Sequence, residues 1–325
     1  MPIKRNLSNL PSAQTTGIPP SRTPTVLAPV ITHFENDWLN REEKPHALEG
    51  RAFRLSDISK RCDRALVYSM AHVPKSNPPD VASHWRFWLG QTVHDKFDQA
   101  MAEVMTEADG WQFEVDIDLR PLGIDGSAHA DAVQFVDGKA RIVAELKSVG
   151  GYAFKLHATY FDGPPKGPKY EHIAQGALAA AALGAPYLAI CYLSLECMSP
   201  QIASRYSDSP AGRFLAEWKY QMTDLQGLVD HEVSRTRRLI RTYEAGEIPT
   251  RTLDTDETPP GAFVGNPKAQ PGSGSWLLVD PATGDIRQTG TTWMCAYCDY
   301  RELCTEQGPE PSTIAVAIEL AASLD

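Results

Sequence analysis

Apolar and polar positions change period several times along the chain, and each change predicts an element. Residues 1 to about 45 show no period and are rich in Pro, Ser and Thr, which predicts a disordered arm with one short helix near HFENDWL. In RLSDISKRCDRALVYSMAHV, Ile58, Cys62, Ala65 and Leu66 recur at helical spacing, with Ser56 as the expected N-cap. SHWRFWLGQTVHDKFDQAMAEVM predicts a second, longer helix with His94 near its middle. The period then falls to two. WQFEVDIDLR, SAHADAVQFV and KARIVAELKSV alternate as strands do, and Asp137-Gly138 marks a hairpin between the last two. The loop DGPPKGPK leads to a helix, YEHIAQGALAAAALG, closed by Gly184, and PYLAICYLSLE follows as a buried strand. Residues 211 to 246 predict one long polar helix carrying Arg235, Arg237, Arg238 and Arg241. The tail holds Pro-rich linkers, a small hairpin around DPATGD and a short terminal helix. The order predicts an α/β fold, helices packed against a mixed sheet.

Composition narrows the function classes. A chain of 325 residues with 42% apolar content can bury a full core. Its formal charge of −10 argues against coating nucleic acid through bulk charge, but not against a nuclease with an acidic metal site. No apolar run is long enough to span a membrane. The N-terminal segment has no apolar core of a signal peptide, so the expected setting is the reducing cytoplasm. There, clustered cysteines more often hold metals than form disulfides.

Candidate chemistry concentrates at AELKS. Glu145 and Lys147 are two apart on a predicted strand, so both leave the same face, while Leu146 points away and offers its backbone carbonyl. Asp131 lies on the partner strand. Two carboxylates and a carbonyl make a hard oxygen site suited to Mg²⁺ or Mn²⁺, and a neighbouring lysine can orient water or offset phosphate charge. Taken singly, E-x-K reads as a surface ion pair, His94 as a solvated helical histidine and Gln175 as an ordinary surface residue.

Taken in order, Gly90-x3-His94, Asp131, Glu145-x-Lys147 and a helix with Gln175 resemble the PD-(D/E)XK nuclease superfamily, and most closely its RecB-like exonuclease branch. The resemblance implies a restriction-endonuclease-like core over residues 50–306, with 307–325 as a tail. It implies metal ligation by His94, Asp131, Glu145 and the Leu146 carbonyl, catalytic assistance by Lys147, and a positioning role for Gln175. Two positions depart from the branch: Ala130 replaces the proline before the aspartate, and Ala179 replaces a tyrosine four residues after the glutamine. Tyr170 is the nearest upstream substitute for that tyrosine.

Three of the six cysteines, Cys295, Cys298 and Cys304, form C-x2-C-x5-C. Cys62, Cys191 and Cys197 are the candidates for a fourth ligand, and spacing alone does not separate a zinc site from an iron–sulfur one. Some RecB-like nucleases, among them AddB-type subunits and CRISPR-associated exonucleases, carry one cysteine before the nuclease core and three after it in this spacing. That resemblance implies Cys62 as the fourth ligand, a [4Fe–4S] cluster, and a clasp joining the N- and C-terminal segments.

The expected function is therefore metal-dependent hydrolysis of DNA phosphodiesters, exonucleolytic and on single-stranded or free ends, with recombination, repair or CRISPR-adaptation proteins as partners. Trp85, Trp88 and Tyr152 are candidates to stack unpaired bases, and Lys166, Lys169 and the arginines of the long helix to meet phosphates. The alternatives are a non-catalytic nucleic-acid-binding adaptor and a zinc-stabilised regulator. One geometric condition follows. A regular two-residue turn at Asp137-Gly138 pairs Asp131 with Ala144 and turns it away from Glu145, so a shared metal requires a three-residue turn or an equivalent bulge between them.

Overall fold

The computed structural model describes residues 53–59, 62–79, 81–106, 109–159, 165–196, 214–251, 277–279, 286–289, 298–308 and 310–324. The arm expected over 1–45, Cys197 and Cys295 lie outside them.

Strand β1 (Phe53–Arg54) precedes a 3-10 turn, Leu55–Ser59, and helix α1 (Asp63–Met70). The single helix expected from Ser56 is thus divided, and Cys62, not Ser56, is the N-cap residue of α1, with extended backbone. Helix α2 (Val81–Val104) carries His94. Strands β2 (Trp111–Asp118), β3 (Gly126–Val136) and β4 (Lys139–Val149) follow, then the short helix α3 (Gly151–Ala158), helix α4 (Tyr170–Leu183) and strand β5 (Tyr187–Ser194).

The polar stretch expected to be one helix is two elements. LAEWKYQ forms strand β6 (Leu215–Gln221), and only then does helix α5 (Gln226–Glu244) begin. The alternation of Leu215, Glu217 and Lys219 with Trp218 and Tyr220 suits a half-covered edge strand, and β6 finds its partner in β5. Beyond α5 lie β7 (Glu247–Ile248), the hairpin β8 (Leu277–Val279) and β9 (Ile286–Thr289), helix α6 (Arg301–Gln307), β10 (Ser312–Thr313) and helix α7 (Ile314–Ala322).

The central sheet has six strands in the order β1-β3-β4-β5-β6, with β2 also paired to β3. Pairings alternate between parallel (β1/β3, β4/β5) and antiparallel (β2/β3, β3/β4, β5/β6), so the sheet is mixed as expected. Each face has its own apolar layer. Val133, Val143, Leu188, Ile190 and Tyr192 join Ala174, Ala177 and Leu178 of α4 in the larger one. Ala132, Ala144, Leu146, Ala189 and Leu193 pack with Val93, Phe97 and Met101 of α2 in the smaller. Alanines on that face allow close approach of α2. At Gly90 an added Cβ would lie 2.8 Å from Ser148 Oγ on β4, so the glycine sets the helix height.

Candidate active site

The β3/β4 hairpin closes through two residues with positive φ, Asp137 at 50° and Gly138 at 72°, which is a type I′ turn. Val136 pairs with Lys139 and Phe135 with Ala140, but then the register shifts and Gln134 pairs with Ile142. Arg141 is therefore an unpaired extra residue on β4, a β-bulge. Below it, Val133 pairs with Val143 and Ala132 with Ala144, so the next step sets Asp131 across from Glu145. The turn has two residues, and the required odd shift comes from the bulge instead. By alternation Glu145 takes the face on which Val133 and Val143 are buried, and Asp131 comes next after Ala132 on β3.

Asp131 also marks a seam. On β2 and β3, Val115, Ile117, Ala128 and Ala130 pack in the larger layer, whereas Trp111, Phe113 and Ala132 pack in the smaller one. Residues of equal parity thus change sides, and the change falls at Glu114 and Asp131. The β2/β3 ladder runs from Phe113↔Ala132 to Val115↔Ala130 without a pair between them, and Glu114 takes φ of 51°. Such a conformation is strained for a non-glycine residue and is held here by its surroundings: Glu114 Oε2 lies 2.8 Å from His129 Nε2, and His129 Nδ1 lies 2.8 Å from Asp116 Oδ1.

At this seam the Leu146 N–H donates to Asp131 Oδ2 at 2.6 Å. In an extended strand a residue's N–H and C=O face the same edge, so the Leu146 carbonyl faces the same gap as Asp131. The Leu146 side chain is buried in the α2 layer. Glu145 is 2% exposed. Its Oε1 accepts from Lys147 Nζ, and its Oε2 has no hydrogen-bond partner. Burial pushes the Glu145 carboxyl up to about 7, with Lys147 pulling it down and the charge of Asp131 pushing it further up.

Helix α2 brings His94 and, one turn later, Asp98 to the same region. Asp98 had no motif to mark it. Its carboxyl is raised by burial and by the charges of Glu114 and Asp131, with His94 lowering it, and its Oδ1 is buried without a partner. On α4, Gln175 is half-buried. His172, one turn earlier on α4, accepts or donates at 2.8 Å to Tyr192 Oη, and burial together with the Lys147 charge lowers it to about 3. Lys147 therefore faces α4. Among the described residues no three His, Cys, Asp or Glu side chains converge on one point at ligating distance.

Two orphaned carboxylate oxygens, at Glu145 and Asp98, fit a hard divalent cation. A buried unpaired carboxylate oxygen is costly, and a cation is the partner such oxygens lack.

Ala179 is fully buried in the larger layer, so the branch's tyrosine has no room there. Tyr170 does not stand in for it, since its hydroxyl donates to Glu232 Oε1 on α5 at 2.8 Å. The arginines of α5 are also engaged. Arg235 Nε reaches Asp63 Oδ1 at 2.7 Å, Arg238 Nη2 reaches Asp63 Oδ2 at 3.2 Å, and Arg237 bonds the Leu122 carbonyl. These three brace α5 against α1 and the β2–β3 connection, while Arg237, Arg238 and Arg241 remain exposed. Trp85, Trp88 and Tyr152 stand at 47%, 50% and 66% exposure, which suits surface stacking.

The segments bearing Cys62 and Cys298–Cys304 are docked on each other. The buried guanidinium of Arg64 donates to the Pro249 carbonyl at 2.8 Å and to the Gly308 and Glu310 carbonyls, and its Nη1 lies 3.9 Å from Cys304 Sγ. Tyr68 bonds Gln307, Ser76 Oγ accepts from Leu303 N at 3.1 Å, and Asn77 Oδ1 accepts from Glu302 N at 2.8 Å. Cys62, Cys298 and Cys304 all pack against the larger apolar layer. Cys191 on β5 belongs to the other layer, and burial pushes its thiol up to about 12. Cys62, Cys298 and Cys304 thus lie on two docked segments, but among the described residues no three such side chains converge at metal-ligating distance.

No family model matches the chain, and no curated protein matches it. Similar solved structures include the crystal structure of SSO0001, with TM-score 0.40 and 13% identity over 86% of this chain and 96% of that one. An alkaline exonuclease from Laribacter hongkongensis, LHK-Exo, gives TM-score 0.38 and 14% identity over 59% of this chain and 90% of its own. The same enzyme in complex with dAMP gives TM-score 0.37 and 14% identity over 59% and 89%.

Proposed function

We propose that this protein is a metal-dependent DNA exonuclease that hydrolyses phosphodiester bonds at single-stranded or free ends. The observation that carries the reading is the register of β3 and β4, which sets Asp131 across from Glu145 with Lys147 two residues on. Asp131, Glu145, the Leu146 carbonyl and His94 would hold Mg²⁺ or Mn²⁺. A divalent cation bound there would polarise the phosphate and lower the pKa of a bound water.

The residues supply the rest. Glu145 would help hold the cation, with Oε2 unpartnered and Oε1 accepting from Lys147 Nζ. Lys147 Nζ also orients the attacking water and offsets charge growing on the phosphate as the deoxyribose oxygen departs. Asp131 fixes the strand edge through the Leu146 N–H. Gln175 positions the site or the DNA from α4, and Trp85, Trp88 and Tyr152 offer faces for unpaired bases. Cys62, Cys295, Cys298 and Cys304 would hold a [4Fe–4S] cluster that crosslinks the chain near its two ends. Recombination, repair or CRISPR-adaptation proteins are the proposed partners, in the cytoplasm.

End-labelled single-stranded DNA incubated with the protein and Mn²⁺ tests the reading. Stepwise shortening that stops in EDTA is expected; full-length DNA after incubation with Mg²⁺ or Mn²⁺ would sink it.

A further inference from the structure

Helix α2 packs on one face of the sheet, and Glu145 follows the alternation of the other. At the seam the β2/β3 ladder skips the pair Glu114/Asp131, and the Asp131 carboxylate sits in the sheet edge on the Leu146 N–H. Glu145, its side chain 2% exposed, reaches the seam with Oε2 unpartnered. Asp98, one turn after His94 on α2, has its Oδ1 equally buried and unpartnered. Both groups have the charges of Glu114 and Asp131 as close neighbours. Glu114 already has His129 as a partner, and Asp131 has the Leu146 amide. What remains is two buried, unsatisfied carboxylate oxygens, one on Glu145 and one on the helix that carries His94. A core that is only structural removes or pairs such groups.

We infer that Asp98 belongs to the coordination sphere of the divalent cation, directly or through one of its bound waters, as the carboxylate that α2 contributes beside His94. Mg²⁺ keeps several waters and so accepts ligands of both kinds. The site then draws on both faces of the sheet, and α2 becomes part of the metal centre as well as a packing helix. Placement agrees with this: His94 and Asp98 are four apart on a helix whose Val93, Phe97 and Met101 face the sheet, so both flank the buried stripe. This inference rests on the cation site of the proposed function.

Calorimetric titration of metal-free full-length protein with Mn²⁺, without DNA, tests it. Wild type and Asp95→Asn, a change at the exposed neighbour whose Oδ1 accepts from Gln91, are expected to bind alike. Glu145→Gln is expected to abolish binding, and Asp98→Asn to weaken it at least about tenfold. Asp98→Glu, which keeps the charge, is expected to bind more tightly than Asp98→Asn. Melting supplies a second readout: metal-free Asp98→Asn melts no lower than wild type, but its stabilisation by Mn²⁺ shrinks. Wild-type affinity in Asp98→Asn, alongside lost binding in Glu145→Gln, overturns the role of Asp98 and leaves the nuclease reading standing. A lower melting point or a failure to fold in metal-free Asp98→Asn also overturns it, because an unpartnered carboxylate contributes no folding energy. Absence of Mn²⁺ binding in wild type removes the nuclease reading and this inference together.

Discussion

Asp131 on β3 accepts from the N–H of Leu146, the neighbour of Glu145 on β4, at 2.6 Å, in a register shifted by one residue, Arg141, left unpaired near the turn. Without the bulge the two-residue turn would set Asp131 against Ala144 and split the carboxylates between the two faces. Deleting Arg141 is therefore expected to leave a folded hairpin and lower metal-dependent cleavage by about 100-fold or more, since small misplacements at a reacting centre cost that much. Circular dichroism together with the cleavage assay checks it.

Glu145 and Lys147 divide the chemistry, so their variants differ in stability. Glu145→Gln and Lys147→Ala are each expected to lower cleavage at least about 100-fold. Glu145→Gln removes a desolvated carboxylate and should leave the metal-free protein at least as stable at neutral pH. Lys147→Ala removes the partner of a buried charge and should destabilise it. Cleavage retained by both variants would place the catalytic centre elsewhere.

His172 makes stability depend on pH. Its folded value of about 3 lies below the ordinary 6.5, so the unfolded chain binds a proton that the folded one refuses. Its contribution is fully present above pH ~6.5 and is lost as pH falls towards ~3, with a slope approaching about 1.4 kcal/mol per pH unit. Urea titrations from pH ~4 to ~7 are expected to show that slope in wild type and a flatter profile in His172→Asn. Parallel profiles would contradict it.

The cysteines should separate into two groups. Protein purified without oxygen is expected to be brown and to contain iron and acid-labile sulfide. Alanine at Cys62, Cys295, Cys298 or Cys304 is expected to lower both iron and folded yield. Cys191→Ala should keep the iron, its thiol being buried on β5. Iron lost from Cys191→Ala and retained by Cys62→Ala would reassign the ligand; stoichiometric zinc without iron would replace the cluster.

Arg64 should matter even with the cysteines intact. Its guanidinium bonds three carbonyls on the far segment, at Pro249, Gly308 and Glu310. Arg64→Met leaves three part-buried carbonyls without this donor and should destabilise the protein by about 1–3 kcal/mol. Chemical denaturation of the metal-free protein measures this.

The sequence by itself determined the elements whose signal is local. Alternation marked β2, β3, β4 and β5, Asp137-Gly138 marked the turn, and the alanine-rich run ending in Gly184 marked α4. It also showed that Glu145 and Lys147 leave one face, because residues two apart on a strand always do. LAEWKYQ misled, since its charges read as a helix surface until β5 offered it an edge. Only the tertiary structure decided the rest. The bulge at Arg141 sets the β3/β4 register, the parity of β2 and β3 changes at Glu114 and Asp131, and Asp98 Oδ1 is buried without a partner. Tyr170 turns to Glu232, and Arg64 finds Cys304 from 240 positions away. Each depends on how distant elements register and pack, which residue spacing along one strand or helix does not encode.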